Sequence, residues 1–273
     1  MTPQPQPLSV CIVCKNNAGT IGRTLESVRG LGKEIVAIDS GSTDGTLEIL
    51  ADHGCRVVET EWLGYVRTKQ FGLERCAQPW VLSLDSDESL EPELRRSIEA
   101  LDLVHEEGPT GYRVNRKVWY RGRFFEHAWQ PEWRLRLVRR ERYRWQGLDP
   151  HDELRPVDPG QTREADLAGD LRHASFASFA ELMRKHAGHA ELTARSLHAA
   201  GKRASPLKLA LSPASAFVRE VIVRRGFLDG RRGWAAAGAM AAYTFMKYVC
   251  LLELQDADAE TPQATPEPSP EHP

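Results

Sequence analysis

The sequence lacks the signatures of a secreted, zinc-binding or membrane-spanning protein. Its five cysteines, at positions 11, 14, 55, 76 and 250, are odd in number and sit mostly in apolar runs. Cys11 and Cys14 form a C-x-x-C, but inside a stretch that reads as a strand, with no second cysteine pair and no histidine-rich segment to complete a metal site. That disfavours zinc or redox chemistry and leads us to expect buried free thiols in a reducing compartment. The opening MTPQPQP has neither the charged nor the apolar region of a signal peptide, so a cytosolic location is expected. The longest uncharged run, residues 233–246, is Ala-rich, stops at Lys247, and is too short to span a bilayer. No internal repeat is visible.

What is present is the composition of a folded, soluble protein. Of 273 residues, 41% are hydrophobic and 27% charged. The net charge of −2 hides an uneven distribution. Residues 112–146 hold eleven Arg or Lys against three Glu, and residues 200–232 hold eight against two acids. Such regions suit an anionic partner or a solvated face. Residues 1–7 and 256–273 are Pro-rich and polar, and are expected to be disordered tails. Between them, apolar strands (LSVCIVCK, EIVAIDS, RVVET, WVLSLDSD) alternate with helical patterns (TIGRTLESVRGL, TDGTLEILADHG, RTKQFGLERCA). This order predicts an α/β fold with a mostly parallel, Rossmann-like sheet and right-handed crossovers. From Tyr112, GYRVNRKVWYRGRFF and WRLRLVRRERYRW read as antiparallel strands. From Phe176 to Gln255 the pattern is mostly helical, broken around SPLKLALSP and RRGFLDGRRG.

In open α/β sheets ligands sit beyond the carboxyl ends of the strands. Three polar clusters fall there: Lys15-Asn16-Asn17, DSGSTDGT at 39–46, and the acids Asp85, Asp87 and Glu88 directly after an apolar strand. Gly41 and Gly45 permit a tight turn and close approach of backbone to a ligand. Acids this close repel one another unless a cation or a hydrogen-bonding ligand compensates. The competing reading is that Asp87 or Ser89 caps a helix starting near Pro92.

LSVCIVCKNN, IVAIDSGSTDGT, GYVRTKQFGLE and VLSLDSDE resemble, in order and spacing, the nucleotide-sugar half of family 2 glycosyltransferases with the GT-A fold. YRGRFFEH, WRLRLVRR, PHDEL and RRGFLDGRRGW are similar to the branch that includes bacterial lipopolysaccharide-core glucosyltransferases. The resemblance spans about residues 8–254 and implies a GT-A catalytic domain at 8–175 with a helical carboxyl-terminal extension at 176–255. It implies that Asp85-Ser86-Asp87 is the family's D-x-D motif, with Asp87 ligating a divalent cation, Mg²⁺ or Mn²⁺, and Asp85 facing ribose or a metal-bound water. Such a hard cation takes carboxylate and phosphate oxygens and neutralises charge on a leaving diphosphate. The same resemblance implies that Asp39 bonds the uracil edge, Asn16 and Asn17 border the nucleotide pocket, and Arg67 and Lys69 line the donor site. Trp133, Arg134 and Arg136 would border the acceptor side. Asp152 matches the acid of the branch's His-acid pair and is expected to be the base, with Glu153 second and His151 orienting the site. The branch usually shows His-Glu where this chain has His151-Asp152 followed by Glu153.

The function so implied is inverting, metal-assisted transfer of a hexose, glucose by the branch resemblance, from a UDP-sugar to a lipid-linked saccharide acceptor. A nucleotide-sugar-forming nucleotidyltransferase would need a Gly-rich, Arg-containing loop after the first strand, which CKNNAGTIG does not supply. A nucleic-acid-binding protein would account for the Arg and aromatic residues at 112–146 but leaves D-x-D unexplained. No nucleic-acid partner is expected. The basic, amphipathic helical third is expected to make peripheral, salt-sensitive contact with the inner leaflet, against the simpler reading that it covers the catalytic domain or pairs subunits.

Overall fold

The computed structural model describes residues 5–105 and 107–260. Its first half alternates strand and helix: β1 (Gln6–Cys14), α1 (Ile21–Val28), β2 (Gly32–Asp39), α2 (Thr46–Asp52), β3 (Arg56–Glu59), α3 (Tyr65–Arg75) and β4 (Trp80–Asp85). There follow β5 (Glu88–Leu90), α4 (Pro92–Glu99), β6 (Gly111–Tyr120), β7 (Arg123–Phe124), β8 (Trp133–Arg139), β9 (Tyr143–Leu148), β10 (His151–Pro156) and β11 (Glu164–His173). The chain ends in α5 (Phe179–Ala199), α6 (Pro206–Val218) and α7 (Arg231–Glu260).

One mixed sheet runs in the order β3-β2-β1-β4-β8-β6-β11-β5, with β7 paired to β6. β3, β2, β1 and β4 are parallel neighbours, and β8 joins antiparallel to both β4 and β6. β1, β4 and the second half of β2 are buried on both faces, which is why they read as continuous apolar runs. Leu8, Val10 and Ile12 pack with Ile21, Leu25 and Val28 of α1, while Cys11, Val36, Ile38 and Val81 pack with Leu73 of α3 on the other face. The buried side of α1 repeats at i, i+3, i+4, i+7 through Ile21, Thr24, Leu25 and Val28. All five cysteines are free, and Cys11, Cys14 and Cys76 are buried. Register brings the strand ends together: Cys14 pairs with Asp39, and Val13 with Asp85.

Several local expectations are corrected. The SPLKLALSP stretch is not a break but α6: Ser205 caps it by accepting from Lys208 N–H, Pro206 stands in the first turn, and Pro213 is carried inside. β11, a polar strand, was not anticipated; it pairs with β6 and β5. Neither Asp87 nor Ser89 caps α4, whose N-cap is Glu91 with Pro92 in its first turn. The tails are shorter than expected, since Gln6 and Pro7 open β1 and residues 256–260 continue α7. The rest of those tails, residues 1–4 and 261–273, lies outside the described residues. The apolar run ended in sequence at Lys247, yet α7 continues through it and is long and apolar enough, by length and composition, to cross a membrane. In the fold α7 lies between α5 and α6, packing on both.

The helices are held to the sheet by an aromatic cluster and two buried acids. Tyr120 and Phe125 of the β6–β7 hairpin pack with Phe176, Leu182, Ala236 and Ala239. Asp229 accepts from the N–H groups of Glu126, His127 and Ala128 at 3.0, 3.0 and 2.8 Å, and Glu220 accepts from Trp129 N–H at 3.0 Å. Burial pushes the Asp229 carboxyl up, but these backbone donors outweigh it and hold it below its ordinary value. Asp229→Ala should therefore destabilise the chain by on the order of 3 kcal/mol, since buried N–H groups lose a charged acceptor. Chemical denaturation checks this; an unchanged midpoint would remove Asp229 as the anchor.

Candidate active site

The three polar clusters meet at the carboxyl edge of β1, β2 and β4. After β2 the chain turns through Gly41 and Gly45, both at φ 86°, a region glycine enters without strain. Asp39 is buried and organises this turn: its Oδ1 accepts from Gly41 and Ser42 N–H at 2.9 and 2.8 Å, and its Oδ2 takes the Ser42 hydroxyl. Asn16, itself at positive φ, accepts from Thr43 N–H at 2.8 Å through Oδ1 and donates its own N–H to the Ser42 hydroxyl at 2.9 Å. Asn17 accepts from Lys15 N–H at 2.8 Å. The two asparagines thus rim the turn, while Asp39 lies beneath it and meets a ligand only by exchanging the Ser42 hydroxyl.

The acids after β4 have three different environments. Glu88 has no exposed side-chain surface; Arg136 lies 2.6 Å and Arg116 3.3 Å from its Oε1. Its Oε2 accepts from Asp85 N–H at 3.0 Å. Glu88 is therefore the charge on which the turn is built. Asp85 faces Lys69 Nζ at 2.7 Å and Arg136 at 3.1 Å. Burial alone would raise its pKa, but Lys69, Arg136 and Arg116 hold it far below the carboxylate range. Among the described residues Asp87 has one ion-pair contact, His173 at the end of β11, whose Nε2 is 3.6 Å from Oδ2. Burial, reinforced by Arg116, pushes the His173 imidazole below its usual value, against the opposing pull of Asp87 and Glu88. Its Nδ1 is buried with no hydrogen-bond partner among the described residues.

The residues expected on the acceptor side lie on β8 and on the separate β9–β10 hairpin. Asp152 Oδ2 accepts from Lys69 Nζ at 2.8 Å. One buried lysine therefore bridges Asp85 and Asp152, with its ammonium also 4.9 Å from the Trp145 ring centre. Burial lowers the Lys69 pKa, but Asp85 and Asp152 more than reverse this and keep it charged. A small cavity of about 130 Å³ is lined by Trp133, Arg134, Arg136, Trp145, Asp152 and Glu153, among others. Trp133 presents an exposed ring on its rim, and Arg134 pairs with Glu132 at 2.8 Å. Glu153 is exposed and bonded to Arg155 at 3.0 Å, apart from Lys69. His151 Nε2 lies 3.4 Å from Thr193 Oγ1 of α5, and its pKa is lowered by burial, then by Lys247 and Arg134.

Two expectations need correction. Arg136 lines the cavity, but its guanidinium is buried and committed to Asp85 and Glu88, so it is a counter-charge rather than a free acceptor contact. Arg67 is exposed and lies two residues from Lys69, hence on the other side of α3. The structure does not bring it to Lys69's side. Three residues were missed. His173 carries no local signal and reaches Asp87 only through β11 pairing. Glu132, which grips Arg116 at 2.6 Å, sat unnoticed beside Trp133. Asp149 accepts from the N–H groups of Tyr65 and Val66, both at 3.1 Å, capping α3 from the β9–β10 hairpin; the signal available was an Asp directly before Pro150. Part of the basic stretch at 112–146 is paired within the fold: Arg113 with Asp166, Arg116 with Glu132 and Glu88, Lys117 with Glu126 and Asp170, Arg134 with Glu132, and Arg136 with Asp85 and Glu88.

A family model described as Glycosyl transferase family 2 matches residues 9–155. The lipopolysaccharide core biosynthesis glycosyltransferase LpsC of Rhizobium meliloti (strain 1021) is 32% identical over 255 residues, covering 88% of this chain and 90% of that protein. An uncharacterized glycosyltransferase of Rickettsia prowazekii (strain Madrid E) is 26% identical over 261 residues, covering 91% and 87%. Among solved structures, the mannosyltransferase PcManGT from Pyrobaculum calidifontis, in complex with GDP-Man and Mn²⁺, has the same fold at a TM-score of 0.52, with 16% identity and coverage of 91% and 89%.

The charge network makes acid stability a readout of the site. Burial raises the Glu132 pKa, but Arg116 and Arg134 bring it from 4.5 down to about 2. A carboxyl depressed in the folded state stabilises above its unfolded pKa and loses that contribution as pH falls. The melting temperature should therefore drop between about pH 4.5 and pH 2. Glu132→Gln should melt lower at neutral pH and show a shallower drop across that window; parallel curves would contradict the assignment.

Proposed function

The chain belongs to glycosyltransferase family 2, and from that premise we propose that it moves a hexose, glucose by the resemblance of its downstream motifs, from a UDP-sugar to the saccharide of a lipopolysaccharide core or another glycolipid, with inversion. The observation that carries this reading is Lys69, which holds the donor-side acid Asp85 and the acceptor-side acid Asp152 at 2.7 and 2.8 Å. Donor and acceptor chemistry therefore share one centre.

Asn16 and Asn17 rim the nucleotide pocket, and Asp39 takes an N–H of the uracil edge in exchange for the Ser42 hydroxyl. Asp87 and His173, with Oδ2 and Nε2 3.6 Å apart, would hold a divalent cation together with oxygens of the donor's diphosphate. Among the described residues no cluster of three or more His, Cys, Asp or Glu side chains is present. When bound, Mg²⁺ or Mn²⁺ there neutralises charge developing on the leaving diphosphate. Asp85, fixed by Lys69 and Arg136, faces ribose or a metal-bound water. Arg67, on the outer side of α3, contributes positive potential at most.

On the acceptor side Trp133 offers a flat surface to a sugar ring, Arg134 borders it, and His151 orients the hairpin through Thr193. Asp152 takes the proton of the attacking hydroxyl. Lys69 can release it by exchanging one carboxylate for a diphosphate oxygen, so that no buried charge is left unpaired. Glu153 is the second choice for the base. A lipid-linked acceptor places the enzyme peripherally on the cytoplasmic face of the inner membrane.

Folded Asp87→Ala should lose transfer and Mn²⁺-dependent binding of UDP, measured by calorimetry beside activity; retained activity would remove the metal assignment. Asp152→Asn should still bind UDP but lose about 10²–10⁴-fold in turnover. The same loss in Glu153→Gln, with Asp152→Asn active, moves the base by one residue.

A further inference from the structure

The face of α6 turned away from α7 is apolar and unpartnered. Leu207, Leu211, Val218 and Ile222 are 67%, 59%, 52% and 61% exposed. Their spacing sets them within about 60° of one another around the helix axis, and the buried Ala216 lies on the opposite side. The stripe continues past the π turn at Arg219–Val223 into exposed Val223, Phe227 and Leu228, with Trp234 exposed at the start of α7.

The exposed charge of residues 201–234 has one sign. Lys202, Arg203, Lys208, Arg219, Arg225 and Arg231 are all exposed. Residues 201–234 contain two acids, Glu220 and Asp229, whose side chains are 0% and 4% exposed. Both are spent on backbone N–H groups of residues 126–129. The fold has thus withdrawn the negative charge of this segment and left the positive charge around an apolar stripe. A protein partner complementary to such a face would need an apolar groove with an acidic rim; an anionic bilayer supplies both chemistries to any cationic, apolar ridge. Phe227 and Trp234 are residue types that favour the interface.

We propose that the α6 stripe, from Leu207 through the π turn to Trp234, is the surface by which the protein seats on an anionic phospholipid bilayer, its apolar side chains entering the headgroup boundary and its cations pairing with lipid phosphates. The inference rests on the lipid-linked acceptor for its purpose, and on the surface alone for its chemistry. α7 remains packed between α5 and α6, so the seat is a helix lying on the membrane rather than a span through it.

The test is sedimentation of the full chain with vesicles of phosphatidylcholine alone or mixed with phosphatidylglycerol, at low and high salt. The chain should pellet with the anionic vesicles at low salt and be released by high salt. Leu211→Asp/Ile222→Asp and, separately, Arg219→Glu/Arg225→Glu should each lower the bound fraction by on the order of tenfold or more. Circular dichroism and UDP-sugar hydrolysis, which needs no lipid, should stay at the wild-type level. Absence of pelleting in every condition overturns the proposal. So does self-association abolished by Leu211→Asp/Ile222→Asp without vesicle binding, which gives the face to a second copy. Binding that survives both high salt and the apolar variant also overturns it, assigning attachment to α7. Vesicle binding without any UDP-sugar turnover would sink the enzymatic reading and leave the membrane seat standing.

Discussion

The site depends on keeping buried charges paired. Glu88 lies at the bottom of a layered arrangement in which Arg136 and Arg116 neutralise it, Asp85 sits on those arginines, and Lys69 joins Asp85 to Asp152. An unpaired charge at such depth costs several kcal/mol, so each member fixes the position of the next. The acids after β4 are tolerable together because Glu88 and Asp85 share Arg136 and Arg116, Lys69 adds a further cation at Asp85, and Asp87 turns to an imidazole instead.

The helical region takes part in the same logic. Asp229 and Glu220 cross to the segment after β7 and fix its backbone, while Ser196 of α5 donates to the Asp149 carbonyl at 2.6 Å and Thr193 meets His151. Asp149 in turn caps α3, which carries Lys69. The extension is thereby mechanically continuous with Lys69 and Asp152, though it contributes none of the charged groups that meet at Lys69.

Much of this was legible in the chain. The alternating apolar runs gave the parallel half of the sheet, and the polar clusters at strand ends gave the edge where Asn16, Asp39, Asp85 and Asp87 gather, because these signals are local. The failures were not local. His173 follows a strand whose polar alternation resembles a loop, and its meeting with Asp87 depends on β11 pairing with β5. Arg136 looked like a surface cation because a sequence does not show that Glu88 is buried beside it. Ser205-Pro206 in SPLKLALSP is itself a helix start, a local signal against a break there. The resemblance assigns Arg67 and Lys69 to one segment, but helical geometry sets residues two apart on different sides.

β9 and β10 pair only with each other, outside the main sheet. The hairpin that brings Asp152 to the donor is therefore a detachable tile, fastened at a few points: the Asp149 cap, the Lys69 bridge, the Thr193 and Ser196 bonds, and the packing of Trp145 and Leu154. Such a ribbon can change its sequence while the strand ends of β1, β2 and β4 stay untouched, provided the fastening residues travel with it; the two walls of the cleft are separable parts of one chain.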